Sequence, residues 1–262
     1  MKPGVYTAYK KDGTLYYRSS ITYKNKHISL GSFSDEDSAH KAYLEASRIV
    51  SNNSLNIEHY NKKKLLSFDK WVSLINFRDN GIYFKNPIYL YPKYFLYYMS
   101  PEESYTFDVD DLFYYSNHKI MRRGGHFFVA DYGMQVNILN RYGIKNFAKP
   151  GKDYIFVNGD ETDFRYKNIH IINHYNGVTK SEINGRAVYT AKIHINGDYI
   201  IGRYDSEDDA AIAYNKAIDT LEDKGLNIRF TKNYIDGLNQ AMYDEKYEQI
   251  KISKKIRKFE NI

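Results

Sequence analysis

Residues 187–217, AVYTAKIHINGDYIIGRYDSEDDAAIAYNKA, decide the fold of this chain. The runs AVYTAKIHI and YIIGRY alternate with a period of two, which is typical of half-buried strands, and Asn196-Gly197-Asp198 between them is a strong hairpin signal. Asp205 or Ser206 then offers an N-cap, the first turn after it is acidic, and small residues recur at helical spacing. The stretch therefore predicts a β-hairpin followed by a helix that lies close on the sheet.

A second copy of this unit occupies the other end of the chain. In a single alignment without gaps, Gly31 aligns with Gly202, and Leu55-Asn56-Ile57 aligns with Leu226-Asn227-Ile228. Agreement of this kind between distant segments indicates an internal repeat. The identical pairs between these points are Glu36 and Glu207, Asp37 and Asp208, Ala39 and Ala210, Ala42 and Ala213, Tyr43 and Tyr214, and Ala46 and Ala217.

Each copy opens with Gly-Val, at Gly4 and at Gly177, and continues through two alternating runs into a helix. In the first copy the runs are LYYRSSITY and HISLGSF, the turn between them is Lys24-Asn25-Lys26, and Ser34 is the candidate N-cap. We predict one three-stranded sheet with one helix at each end of the chain. A duplicated unit that binds nothing is the alternative.

The second copy resembles the AP-two/ERF-type DNA-binding domain in its run GV…VYTAKI…GRYDSEDDAAIAYNKA…LN. The first copy resembles it through LGSF, the alanine-tyrosine helix and the final LNI. In that family the sheet lies in the DNA major groove while the helix packs behind it. The resemblance implies DNA contacts from two sets of positions: Thr179, Ser181, Tyr189, Lys192 and His194 in the second copy, and Tyr6, Tyr17, Ser20 and Thr22 in the first. The family's arginines and tryptophan are replaced at these positions, so the target sequence does not follow.

Charge is unevenly distributed along the chain. The net charge is +6, residues 1–34 are basic, and residues 205–224 are strongly acidic. A basic sheet with an acidic helix behind it is the pattern expected of a protein that lays one face on phosphates. A solvated surface of mixed charge is the alternative. The basic residues predicted to contact phosphates are Lys10, Lys11, Arg18, Lys24, Lys26, Lys180, Arg186, Lys192 and Arg203.

Between the repeats, the stretch YIFVNGDETDFRYKNIHIIN resembles the HNH motif of homing endonucleases. In that motif a strand ends in Asp-His, an Asn-Gly-Asp turn follows, and Asn-Arg-x-x-Asn-Leu starts a helix. The Asp-His pair falls on Ile155-Phe156 here, and the middle Asn falls on Phe164. The residues that keep the frame are Val157, Asn158, Gly159, Asp160, Asp163, Arg165, Asn168 and Ile169.

These losses affect the chemistry of the motif. HNH cleavage needs a histidine as general base and a divalent ion held by side chains, and phenylalanine supplies neither. We therefore predict no catalytic residue, no metal site and no cofactor, with Arg165 and Asn168 as residual DNA contacts at a helix start, or as parts of a structural scaffold. Substitution of the missing base by His126, His170 or His174 is the alternative.

The predicted fold class is α+β, with two small AP-two-like domains flanking a central degenerate HNH-like ββα domain. The predicted segments are 1–58, 59–173, 174–230 and a basic helical tail at 231–262. The chain has no cysteine and no long apolar run, so we expect a cytoplasmic protein without a membrane partner.

The expected function is non-catalytic binding of double-stranded DNA, and the resemblance suggests a phage or mobile-element regulator. Two alternatives remain: a metal-dependent endonuclease with a rearranged site, and an interaction module that binds or blocks a host protein. The lysine-rich residues 251–258 of the tail add phosphate contacts or merely form a basic end.

Overall fold

The computed structural model describes residues 1–226 and 230–259. It confirms the predicted α+β class, with small three-stranded antiparallel sheets and α-helices. The chain divides into two compact units, one of Met1–Val136 with Asp160–Asn168 and one of Asn137–Gly159 with Ile169–Ile262, a division that differs from the four predicted segments. Asn227 and Ile228 of the repeat, and residues 260–262 of the tail, lie outside the described residues.

The first unit begins with the predicted sheet and helix. The strands are β1 (Val5–Tyr9), β2 (Leu15–Tyr23) and β3 (Lys26–Phe33), followed by helix α1 (Glu36–Ser51). The N-cap of α1 is Asp35, whose carboxylate accepts a hydrogen bond from the Ser38 N–H, and not the predicted Ser34. Ala42 and Ala46 of α1 are fully buried against the sheet.

The rest of the first unit packs onto this pair through helix α2 (Phe68–Asn80), which shares the core of α1. Segment 160–168 is anchored to the next sheet by Phe164, whose ring stacks 5.5 Å from that of Phe107. The remaining elements are β4 (Ile88–Leu90), β5 (Tyr94–Ser100), β6 (Glu103–Asp108), α3 (Leu112–Asn117), β7 (Met121–Arg123), β8 (His126–Asp131) and β9 (Met134–Asn137).

The second unit contains the other copy of the sheet and helix. Its elements are β10 (Tyr154–Phe156), β11 (Ile169–Ile171), β12 (Val178–Ile183), β13 (Arg186–His194), β14 (Asp198–Tyr204), α4 (Glu207–Glu222), α5 (Gln240–Gln249) and α6 (Lys254–Arg257). Strands β12, β13 and β14 form one antiparallel sheet in that order, and β10 pairs with β11. Ser206 caps α4 through its hydroxyl, which accepts from the Asp209 N–H.

Both modules, 1–58 and 174–230, share two backbone details that sequence similarity alone does not show. The register slips after Ser19 in the first sheet and after Ala191 in the second, so that Leu30 and Ile201 are the extra, buried residues of a β-bulge, each followed by glycine. Gly4 and Gly177 have φ of +73° and +70°, and a Cβ at either would lie 2.1–2.2 Å from the ring of the helix tyrosine. The two modules are therefore one supersecondary unit built twice.

The C-terminal segment packs onto the second module. Ile252 and Ile256 are buried in the core that α4 forms with its sheet, and the Ser253 N–H donates to the Ile201 carbonyl at 2.8 Å. The predicted tail is thus helical, but its described part belongs to the body of the second unit. Within the described residues, no helix has the length and apolar character needed to cross a bilayer.

Candidate nucleic-acid interface

The outer face of the second sheet is the side turned away from α4. Val178, Ala191 and Ile193 are buried against the helix, so the alternating residues point outward. Strand pairing then places Thr179, Thr190 and Arg203 side by side across the three strands. The other residues of this face are Ser181, Ile183, Arg186, Val188, Lys192, His194, Asp198 and Ile200.

On this outer face, Lys192 and His194 both bind one carboxylate, that of Asp198. Asp198 accepts from Lys192 Nζ at 2.7 Å and from His194 Nδ1 at 2.9 Å. The hydrogen bond from Lys192, followed by that from His194, holds the pKa of Asp198 below its usual range. Arg186 and Arg203 have no carboxylate partner within the described part of the chain, so the face keeps a positive surplus.

Two predicted contact residues of this module lie elsewhere. Lys180 and Tyr189 pair with each other on the helix side of the sheet, where Tyr189 packs against the core. Thr179, Ser181, Arg186, Lys192, His194 and Arg203 share the outer face. Thr190 belongs with them and was missed, although its spacing of two from Lys192 is a usable signal.

The outer face of the first sheet carries Tyr6 opposite Arg18, with Ser20 and Thr22 following along β2. Ser20 is buried at the floor of a groove of about 380 Å³, and its hydroxyl has no hydrogen-bond partner among the residues that the structure describes. Tyr17 pairs with Phe33, which packs in the core, so Tyr17 lies on the helix side.

The hairpin tip of the first sheet is docked inside its own unit. Lys24 Nζ donates to the Arg78 carbonyl at 3.1 Å and to the Phe77 carbonyl at 3.4 Å, at the end of α2. Lys26 Nζ lies 5.4 Å from the centre of the Tyr83 ring. These two predicted phosphate contacts are occupied by structural interactions, whereas Lys10 and Lys11 lie exposed just after β1.

The acidic side of the second module is largely paired. Asp209 accepts from Lys246 Nζ at 2.6 Å, and Asp219 accepts from Lys232 and from the Tyr247 hydroxyl. Glu207 pairs with His174, at 2.9 Å. The acidic surface of α4 is therefore covered in part by residues of its own unit.

The HNH-like segment contains no helix after Asn168, so the predicted helix start is wrong. A short 3-10 turn, Tyr166–Asn168, leads directly into strand β11. Asn168 is buried, and its amide donates to the Asp163 carbonyl at 2.8 Å. Arg165 forms two hydrogen bonds to the Asp163 carboxylate, at 2.6 and 2.8 Å. Both predicted DNA contacts thus hold the segment together.

The three histidines considered as substitute bases are dispersed. His126 lies at the start of β8, His170 lies within β11, and His174 is bound to Glu207. Within residues 1–226 and 230–259, no three histidine, aspartate or glutamate side chains converge as a metal site would require.

Comparisons of the chain with protein-family models, with curated proteins and with solved structures find no match.

Proposed function

We propose that the protein binds double-stranded DNA through the outer face of the second sheet. The observation that supports this most strongly is the shared placement of Arg186, Lys192 and Arg203 with two threonine hydroxyls, on the side opposite the acidic α4. Arginine and lysine neutralise phosphates, and hydroxyls donate to phosphates or base edges. The face combines the groups for both tasks.

The shape of the module favours B-form DNA. The major groove of B-DNA is about 12 Å wide and admits a helix or a two-stranded β-ribbon, whereas the major groove of duplex RNA is too deep and narrow for side chains to read. The central strand β13 carries Thr190, Lys192 and His194 along its outer face. We assign these residues to the groove and the two arginines to the flanking phosphates.

The first module has a weaker role in this proposal. Its outer face offers Arg18 with Tyr6, Thr22 and the exposed Lys10 and Lys11, but its hairpin lysines are engaged elsewhere. Two contact sites on one chain raise the effective concentration of the second after the first has bound. The first module then adds affinity that is mostly independent of sequence.

Binding without cleavage is part of the proposal. Phe164 supports the core of the first unit, and the Asn168 amide is directed to a backbone carbonyl. Neither residue serves a reaction in these positions. Supercoiled plasmid incubated with the protein and Mg²⁺ or Mn²⁺ is expected to stay intact, and nicking that disappears in Asn168→Ala would contradict this part.

The test of binding is a fluorescence-anisotropy titration of labelled duplex DNA at several salt concentrations. The observed association constant is expected to fall linearly with salt on a double-logarithmic plot, as phosphate contacts require. Absence of binding, or an affinity independent of salt, would reject the proposed function.

A further inference from the structure

Phe147, in the second unit, has an unusual backbone conformation and an unusually exposed ring. Its φ is +61°, a left-handed conformation that a bulky residue rarely adopts, and its side chain is 91% exposed. Such a backbone conformation is strained, and strain of this kind is concentrated at functional sites. Because the ring buries nothing within the unit, the fold itself gains little from this residue.

The loop that carries Phe147 borders a cavity of about 470 Å³, within the range of small-ligand sites. The ring lies at this cavity with the exposed Lys149 and Lys152, whose ammonium groups have no carboxylate partner in the described part of the chain. Thr179 and Lys192 line the same cavity and belong to the outer face of the second sheet. The cavity is therefore continuous with the proposed DNA surface.

A network of hydrogen bonds around Asp153 forms the floor of this cavity. Lys145 is largely buried, and its Nζ donates to Asp153 at 3.0 Å and to the Tyr175 carbonyl at 2.9 Å. The other Asp153 oxygen accepts from the Lys149 N–H at 2.8 Å, and the Asn173 amide also donates to Asp153. Burial opposes ionisation, but these donors together hold the pKa of Asp153 below its usual range. Lys145 and Lys149, on either side of Phe147, are thus both bound to Asp153. These contacts hold the loop, and with it the Phe147 ring, at a fixed position beside the cavity.

We propose that this cavity holds an unstacked nucleotide of the bound DNA, with its base on the Phe147 ring and its phosphates at Lys149 and Lys152. An exposed aromatic ring beside free ammonium groups is the combination that single-stranded nucleic acid uses, since every base has a face to stack and every link a charge. The inference rests on the proposed function and adds a preference for DNA with unpaired nucleotides.

The experiment compares two labelled duplexes of the same sequence, one fully paired and one interrupted by a short single-stranded gap. The wild-type protein is expected to bind the gapped DNA about tenfold more tightly, the effect of one stacked base. Phe147→Gly, which suits the left-handed backbone, is expected to lose the preference while binding paired DNA unchanged. Phe147→Trp is expected to keep it. Phe113→Ala, at another ring that is 84% exposed, is the matched control and is expected to change nothing.

The double variant Lys149→Gln/Lys152→Gln is expected to weaken binding to the gapped DNA more than to the paired DNA. Equal binding of the two DNAs by the wild type, or an unchanged preference in Phe147→Gly, would overturn this inference and leave the proposed function standing. No binding of either DNA would overturn both. A thermal melt of each variant confirms that it is folded.

Discussion

The two modules have the same strands, bulge, positive-φ glycine and helix, but they differ at the hairpin between the second and third strands and on the outer face of the sheet. In the first, the hairpin tip is docked on α2 through Lys24, and the outer face carries a single arginine, Arg18. In the second, the hairpin tip at Asn196 is exposed, and the outer face carries Arg186 and Arg203.

The two modules also differ in what packs against their helices. In the second module the C-terminal segment covers part of α4 and pairs its carboxylates, through Lys232 and Lys246. In the first, α1 packs on α2 as well as on its sheet. Duplication thus kept the core of the unit and varied its edges: the first module supports the elements that follow it, and the second presents a polar, basic face.

The largest effect is expected from removing the basic residues of the second outer face. Arg186→Gln/Lys192→Gln/Arg203→Gln should weaken binding to duplex DNA roughly 100-fold and reduce the salt slope by about 3, since each phosphate contact releases counterions. The charge-matched control is Lys254→Gln/Lys255→Gln/Arg257→Gln on α6, which packs against α4. An equal loss in both variants, measured by anisotropy, would show that only net charge matters.

Gly4 and Gly177 allow a test of how rigid each module is. A Cβ at Gly177 would meet both the buried Tyr214 ring and the Lys192 carbonyl, the latter at 2.6 Å. At Gly4 the three nearest atoms all belong to the Tyr43 ring, which is less buried. Gly177→Ala is therefore expected to destabilise the protein by about 2 kcal/mol and Gly4→Ala by about 1 kcal/mol. Thermal or urea denaturation measures both, and the reverse order would contradict the comparison.

The hairpin lysines separate structure from binding. Lys24→Met removes a donor from the end of α2 and is expected to cost about 1 kcal/mol of stability without changing the salt slope. Lys192→Met is expected to do the opposite, lowering the slope by about 1 with little effect on stability. Melting curves and salt titrations of the two variants decide this. A change of slope in Lys24→Met would place the first hairpin on DNA after all.

The smallest effect concerns the carboxylate on the second outer face. Asp198→Asn removes the negative partner of Lys192 and His194, so duplex DNA should be bound about threefold more tightly, with a steeper salt dependence. Weaker binding, measured in the same titration, would indicate that Asp198 orients the Lys192 and His194 side chains for contact instead of competing with DNA for them.

The sequence predicts the two modules well because the repeat, the period-two runs and the alanine spacing are local signals. It also contains a signal for the bulge, since Leu30-Gly31 and Ile201-Gly202 place glycine inside a strand. Period-two alternation would have separated Tyr17 from Arg18 and Lys180 from Thr179. The contact positions that the resemblance implies do not follow that alternation.

Other features of the structure could not be predicted from the sequence, because they depend on segments that are distant along the chain. Lys24 looks like any exposed turn lysine until α2 brings the Phe77 and Arg78 carbonyls to it. Phe147 gives no sign in the sequence of its left-handed backbone. The helix expected after Asn168 is a strand because Ile169–Ile171 pairs with Tyr154–Phe156.

We propose that the outer face of the second sheet touches DNA and that α4 does not. The chain has no cysteine, so a single cysteine can carry a photo-crosslinker at one chosen position. We expect Thr190→Cys, at the centre of the outer face, to crosslink to duplex DNA, and Glu222→Cys, exposed at the end of α4, to give no adduct. Crosslinking from position 222 but not from position 190 would contradict the account.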